Sequence, residues 1–257
     1  MSDSPYSAGL ARFFIAVADG ARAQKSFDAL HSLLSPGAAV LEIGTGLGLL
    51  AQRLAAAGHP VWALEPDADM RTVLLAQWQL QPPQAQARLT PLPWVAAADT
   101  PDLPEPVHLA CAFSLLHLLA PAARHGLLTW AWRQLRPGGR LVLELPVRSP
   151  QRQAGDWQLY TELPIGASRL RMETRLQGSD AEGWCTHWRF EQRLGEQLGE
   201  QLIDQGERSW HWQAFAPEAA PWAELPGWEF EAEASDESGA PFEPGLSARR
   251  FVRLRKG

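Results

Sequence analysis

The chain has 257 residues, 46% of them hydrophobic and 20% charged, which is enough to bury a sizeable core and unlike a disordered composition. Its net charge of −6 offers no broad attraction for a phosphate backbone and counts against a nucleic-acid partner. The two cysteines, Cys111 and Cys185, stand in no CxxC or Cys/His spacing, so neither a disulfide framework nor a metal site is indicated, and a reduced, cytoplasmic setting is expected.

The apolar patch Phe13 to Ala18 is short and has only Arg12 before it, a poor signal peptide. Leu109 to Ala123 is interrupted by Ser114, His117 and Pro121 and falls short of the roughly 20 residues a spanning helix needs. Neither export nor membrane insertion is expected. Leu10 to Leu34 carries apolar residues at near-helical spacing and predicts covering helices, stopped by Ser35-Pro36-Gly37. Val40 to Ile43 predicts a first buried strand, Leu49 to Ala57 a helix closed by Gly58, Val61 to Leu64 a second strand, and Asp67 to Leu80 a helix that Asp67 can cap. Prolines are dense from Gln81 to Pro106, with one short strand expected at Trp94 to Ala98. Val107 to Phe113 reads as a strand, Pro121 to Leu135 as a helix ended by Arg136-Pro137-Gly138-Gly139, and Leu141 to Leu145 as a fifth strand. This alternation is the pattern of a parallel sheet with helices on both faces.

After Pro146 the pattern changes. Arg169 to Leu176, Trp184 to Leu194 and Arg208 to Phe215 largely alternate apolar with polar residues, as half-exposed antiparallel strands do. A short helix, Pro217 to Leu225, is expected next, then a strand from Trp228 to Ala234 and a last one from Ala248 to Arg255 pairing back on it. The organisation predicted is one α/β domain, residues 1–150 and 216–257, carrying an antiparallel insertion at 151–215.

Three glycines within five residues, Gly44, Gly46 and Gly48, follow the first strand in the stretch VLEIGTGLGLL. Glycine costs conformational entropy and contributes no packing, so such a strand-to-helix turn suggests a ligand close to the backbone, with a tight empty turn as the alternative. The amides at the following helix start favour a polar or anionic ligand group. Glu65 ends the second strand about 20 residues downstream of the first glycine, where an acid accepts both hydroxyls of a ribose. A dinucleotide fold wants G-x-G-x-x-G, and Leu49 stands where its third glycine falls, which disfavours a nicotinamide enzyme.

The pattern E-x-G-x-G-x-G of Glu42 to Gly48 resembles instead the first motif of class I S-adenosylmethionine-dependent methyltransferases. Glu65 matches that family's ribose-binding acid; Asp99, Leu103 and Pro104 match three positions of its D-A-x-x-L-P segment near the adenine, with Thr100 in place of the alanine. Arg136 to Leu143 is similar to the turn into its fifth strand, and Gly227 to Phe230 and Phe251 to Lys256 look like its sixth and seventh. His108 stands where the family often has an acid at the start of strand four. The resemblance implies a Rossmann-like seven-stranded, mostly parallel sheet with an antiparallel last strand, plus an antiparallel lid. It also implies S-adenosyl-L-methionine as cofactor, held by Glu42, Gly44, Thr45, Gly46, Gly48, Glu65, Pro66, Met70, Asp99, Thr100 and Phe113. Glu42 by this likeness positions the methionine part of the cofactor; the other reading is a carboxylate satisfying nearby amides.

A sulfonium carries its methyl already activated, so proximity is the main catalytic term and a base helps only a protonated acceptor. His117, just beyond strand four, is the candidate catalytic residue; a partly buried structural histidine is the alternative. Arg148 is a candidate partner for an acidic acceptor, and Tyr6 a candidate cover for the cofactor. The tryptophans of the inserted segment close over an acceptor, form that segment's own core, or make a homodimer contact. Family members that methylate nucleic-acid bases usually carry an Asn/Asp-Pro-Pro-aromatic segment after strand four, whereas Phe113 to His117 reads FSLLH. The function expected is therefore methyl transfer to a small molecule, with a non-catalytic cofactor-binding module on the same fold as the alternative and a protein acceptor left open.

Overall fold

The structure, a computed structural model, describes residues 14, 15, 18, 20–147, 153–179, 183–195 and 201–257. Tyr6 and Arg148 lie outside them, as does the start of the first expected helix. Contacts group the described residues into two compact units: residues 14, 15 and 18 with 153–214, and residues 20–147 with 215–257. Among the described residues no helix is long and apolar enough to cross a membrane.

The larger unit begins with α1 (Gly20–His31), then β1 (Val40–Ile43), α2 (Leu49–Ala56), β2 (Val61–Leu64), α3 (Ala68–Gln79), the short α4 (Pro83–Gln86) and β3 (Leu89–Leu92). It continues with β4 (Val107–Ala112), a 3-10 turn (Leu116–Leu118), α5 (Pro121–Gln134) and β5 (Leu135–Pro146). The smaller unit contributes β6 (Gln158–Ile165), β7 (Ser168–Ser179), β8 (Gly183–Leu194) and β9 (Gln201–Trp212), after which β10 (Trp228–Ala234) and β11 (Arg249–Lys256) return to the larger one.

Seven strands form one sheet in the order β10-β11-β5-β4-β1-β2-β3. Pairing is parallel from β5 through β3, and β11 runs against both its neighbours. Successive side chains of a strand point to opposite faces, and the apolar runs supply a core on each. Leu41, Ile43, Ala110, Ala112, Leu141 and Leu143 join Leu127, Leu128 and Trp130 of α5 on one side. Val40, Leu109, Cys111 and Val142 join Leu30 of α1, Leu50 and Leu54 of α2 and Leu74 of α3 on the other. Burying the leucine, isoleucine and valine side chains among these contributes on the order of 1.5–3 kcal/mol each, which is why two-sided strands read as mostly apolar runs.

In the larger unit three elements differ from expectation, and in the smaller one the last strand runs from Gln201 to Trp212, not from Arg208 to Phe215. The third strand is Leu89–Leu92, not Trp94–Ala98, in register with β2 from Val61↔Leu89 to Leu64↔Leu92. The amides of Val61 and Glu65 donate to the carbonyls of Arg88 and Leu92, so Pro91 on this edge strand faces away from β2, where its missing N–H costs no ladder bond. Residues 217–225 form successive turns instead of a helix. Their bonds are of the i→i−3 type (Ala219 to Ala216, Ala223 to Ala220, Leu225 to Trp222), Pro221 interrupts them, and the Arg250 guanidinium takes the carbonyls of Pro217 and Ala219 at 2.9 and 2.7 Å. Arg136 to Gly139, expected as a free turn, is a bulge inside β5, since Val107 pairs with Leu135 and Leu109 with Arg140.

The smaller unit is a four-stranded antiparallel sheet, β6-β7-β8-β9, whose edge strand β6 the sequence did not announce. Leu170, Met172 and Phe190 form its core, with Phe14, Trp188 and Trp210 packed against them. Trp184 and Trp212 stack across β8 and β9 at 6.2 Å, and Trp157 lies under the guanidiniums of Arg175 and Arg189. These five tryptophans thus serve packing within the unit itself.

His59 enters β2 from the amino edge of the large sheet and is 1% exposed. Its Nδ1 bonds the Ala38 carbonyl at 2.9 Å and its Nε2 meets His31 Nδ1 at 3.1 Å. Burial pushes its pKa below the usual 6.5, so near pH 6 the folded chain binds fewer protons here than the unfolded chain, and acidification through 6.5 removes stability. The expected outcome is that, in denaturant melts, wild type loses more stability than His59→Gln between pH 7.5 and 5.5, groups common to both chains cancelling in the difference. Equal losses would assign no such role to His59.

Candidate functional site

The three glycines after β1 all adopt positive φ, 74°, 57° and 75°. Gly48 precedes α2, and a Cβ there would lie 2.8 Å from Leu74 Cγ, so its glycine is explained by close packing of the turn on α3. Gly46 differs: a Cβ would meet only the tip of Met70, at 3.6 Å, so its space lies open to an approaching group. The amides of Gly44 and Thr45 both donate to the Leu64 carbonyl at 2.9 Å, which ties the turn to the end of β2.

Glu65 leaves β2 at that point and is 7% exposed. Its Oε2 accepts from the Gly46 amide at 2.8 Å and its Oε1 from the Asp67 amide at 2.9 Å. Burial raises its pKa, and the two amides and Arg71 pull it back. A carboxylate offers about four lone-pair sites, so two acceptors remain for a ligand. Asp67 caps α3 by accepting from the Met70 amide at 2.9 Å, and Arg71 Nη1 donates to the Glu65 carbonyl at 2.8 Å, fixing Pro66 between them.

Glu42 is the one charged side chain of β1 and is 8% exposed. Its Oε2 accepts from Thr45 Oγ1 at 2.7 Å. Burial pushes its pKa up to about 7, against the pull of Thr45 and of the Ala51 amide, and the neighbouring Glu65 charge adds to the rise. A carboxyl poised there is readily ionised when a cation comes near it, its proton passing to solvent.

Phe113, the residue after β4, is half-buried and meets Phe251 edge-on at 5.9 Å. The loop from Phe113 to Leu118 follows, anchored by Leu116 in the core and by Leu115, whose Cδ2 stands 3.2 Å from a Cβ built on Gly44. His117, half-buried in the 3-10 turn, is thereby held on a loop that abuts the glycine turn. The structure thus gathers Glu42, Gly44, Thr45, Gly46, Gly48, Glu65, Pro66 and Met70 at the carboxyl edge of β1 and β2, with Phe113 and His117 beyond the neighbouring β4.

It does not join Asp99 and Thr100 to that group by any hydrogen bond among the described residues. Asp99 is exposed in a turn held against α5, where Arg133 donates to the carbonyls of Ala98 and Thr100 at 3.0 and 3.3 Å. With β3 ending at Leu92, the residues at its carboxyl tip are Pro93 and the half-buried Trp94. Trp94, which packs against the core, thus stands just past the tip of β3, a position that only the pairing of β3 with β2 shows.

The fold is matched by comparisons with known proteins. A family model described as a methyltransferase domain matches residues 19–200. Among solved structures, the CcbJ methyltransferase from Streptomyces caelestis superposes with a TM-score of 0.73 at 18% identity, covering 99% of each chain. An S-adenosylmethionine-dependent methyltransferase from Clostridium acetobutylicum gives 0.70 at 12% identity, covering 97% of this chain and 98% of that one. The amino pentose methyltransferase CalS10 from Micromonospora echinaspora gives 0.67 at 17% identity over all of both chains. A search of curated proteins finds no match. Identities this low speak for the fold alone; it is the family model, spanning most of the chain and the whole glycine turn, that places this protein in the methyltransferase family.

Proposed function

We propose that this chain transfers the methyl group of S-adenosylmethionine to a small-molecule acceptor by in-line displacement. The carrying observation is the Glu65 carboxylate bonded to the Gly46 amide at 2.8 Å, a ribose-type acid beside an open glycine turn. Gly46 and Glu65 would hold the nucleoside, with Met70 alongside, and Glu42 and Thr45 the methionine end. When bound, the cofactor supplies a methyl group activated on a sulfonium. The chain's task is then to orient the acceptor and exclude water, with His117 holding or removing an acceptor proton.

Support for a small acceptor comes from the acidic net charge, from the FSLLH segment after β4, and from neighbours described as acting on an amino pentose or a glycopeptide. A cytoplasmic setting belongs to the same reading. The direct test is calorimetric titration with S-adenosylmethionine, followed by detection of S-adenosylhomocysteine with amino sugars, phenols and small amines as acceptors. Tight binding with turnover on one of them is expected; no binding would sink the reading.

Three substitutions sharpen it. Glu65→Ala should weaken cofactor binding by about 1–3 kcal/mol, since it removes hydrogen bonds from two hydroxyls, and an unchanged dissociation constant in a folded variant would refute the ribose assignment. His117→Ala should lower turnover more than tenfold while leaving cofactor affinity within a factor of two; equal turnover would return it to a structural role. Burial lifts the Glu42 pKa to about 7, and a cationic ligand favours its ionised form. Cofactor affinity should therefore rise from pH 6 to 7 with net proton release, and Glu42→Gln should flatten that slope in calorimetry across buffers; a slope that persists in the variant would clear Glu42.

A further inference from the structure

Ser114, next to Phe113, is the one non-glycine residue among the described residues with a positive φ, 50°. A side chain in the left-handed region is held there only if its surroundings demand it, and such outliers concentrate at functional sites. Here the demand comes from Glu144 of β5, which is 2% exposed. The Ser114 amide and hydroxyl both donate to Glu144 Oε2, at 3.0 and 2.9 Å. Arg22 Nη2, from the first turn of α1, reaches the same oxygen at 2.7 Å and the Ser114 hydroxyl at 3.3 Å. Arg249 Nη1, at the start of β11, takes the other oxygen at 3.3 Å, and Arg22 Nε also faces Glu237 at 3.5 Å.

Two guanidiniums and a strained serine on one buried carboxylate exceed what β5 needs to stay in its sheet, where β4 and β11 already pair with it. What the arrangement does settle is the course of the chain from Phe113 to Leu118. Glycine at 114 would adopt this φ freely, whereas serine adds a second donor that locks the turn to Glu144. The locked turn then sets Leu115 against Gly44 and places His117 on the adjoining 3-10 turn.

We propose that Glu144 is a positioning residue: through Ser114 it fixes the loop 113–118 against the glycine turn, and Arg22 and Arg249 hold its carboxylate for that purpose. The inference rests on the reading of this edge as the methyl-transfer site, but its test does not require the acceptor. In the full chain, Glu144→Gln should speed hydrogen exchange of the 113–118 amides at least tenfold, leave those of 44–48 and β2 within twofold, and shift the His117 imidazole NMR signal while that of His59 stays in place. Unchanged exchange and an unmoved His117 signal in the folded variant would overturn the proposal. So would uniform acceleration throughout the larger unit, which would assign Glu144 to general stability. Should Glu144→Gln not fold, Arg22→Gln removes the 2.7 Å contact to the same oxygen and should accelerate the same peptide at least threefold; no local change there would also overturn it. If S-adenosylmethionine fails to bind the unaltered chain, the functional reading falls, and the exchange result still decides the fate of Glu144.

Discussion

A carboxylate taken out of water between two strand ends is costly unless donors meet it there, and Glu65 meets two. One is the Gly46 amide of the turn after β1, the other the Asp67 amide that leads into α3. The contact joins segments whose separation in the sheet is fixed by β1 pairing β2 from Val40↔Val61 to Ile43↔Leu64. The glycine turn, the cap of α3 and the acid are therefore one object, and the open side of Gly46 is defined by it. A change that tilts β2 against β1 would move all three together.

How far such an object is legible in a sequence depends on how local its causes are. Val61–Leu64 is a short unbroken apolar run between turn residues and Val40–Ile43 one broken only by Glu42, and the structure keeps both strands as expected. The N-cap at Asp67 was legible for the same reason, because the capped amide is only three residues away. β3 was not. Pro91 and Pro93 look like breakers, and only the register against β2 shows that Pro91 faces outward on an edge. The turns at 217–225 were hidden by a longer-range cause, the Arg250 guanidinium, which takes carbonyls 33 and 31 residues back along the chain.

The site divides along the same line. Glu42, Thr45, Gly46 and Glu65 lie within 24 positions of one another on two adjacent strands, and a motif of that length carries its own geometry. The Ser114 network draws on α1, β5 and β11, with Arg22 and Glu144 122 residues apart, and no periodicity or spacing announces it. Asp99 belongs to neither case: it is exposed in a turn that Arg133 ties to α5, and no hydrogen bond among the described residues joins it to the glycine turn.

Buried acids stand at three strands of this sheet, and the kind of donor each has found separates their roles. Glu42 and Glu65 are met by amides and a hydroxyl, neutral partners that leave lone pairs free and allow burial to lift the pKa of each. Such a carboxyl still gains from a cation or a further hydroxyl, so the energy of binding a ligand is available to it. Glu144 is met by two guanidiniums as well as by Ser114. Charge-assisted partners are roughly twice as strong as neutral ones and satisfy the acid within the fold. It has little left to offer a ligand and much to lose by moving, the chemistry expected of a group that holds a loop still.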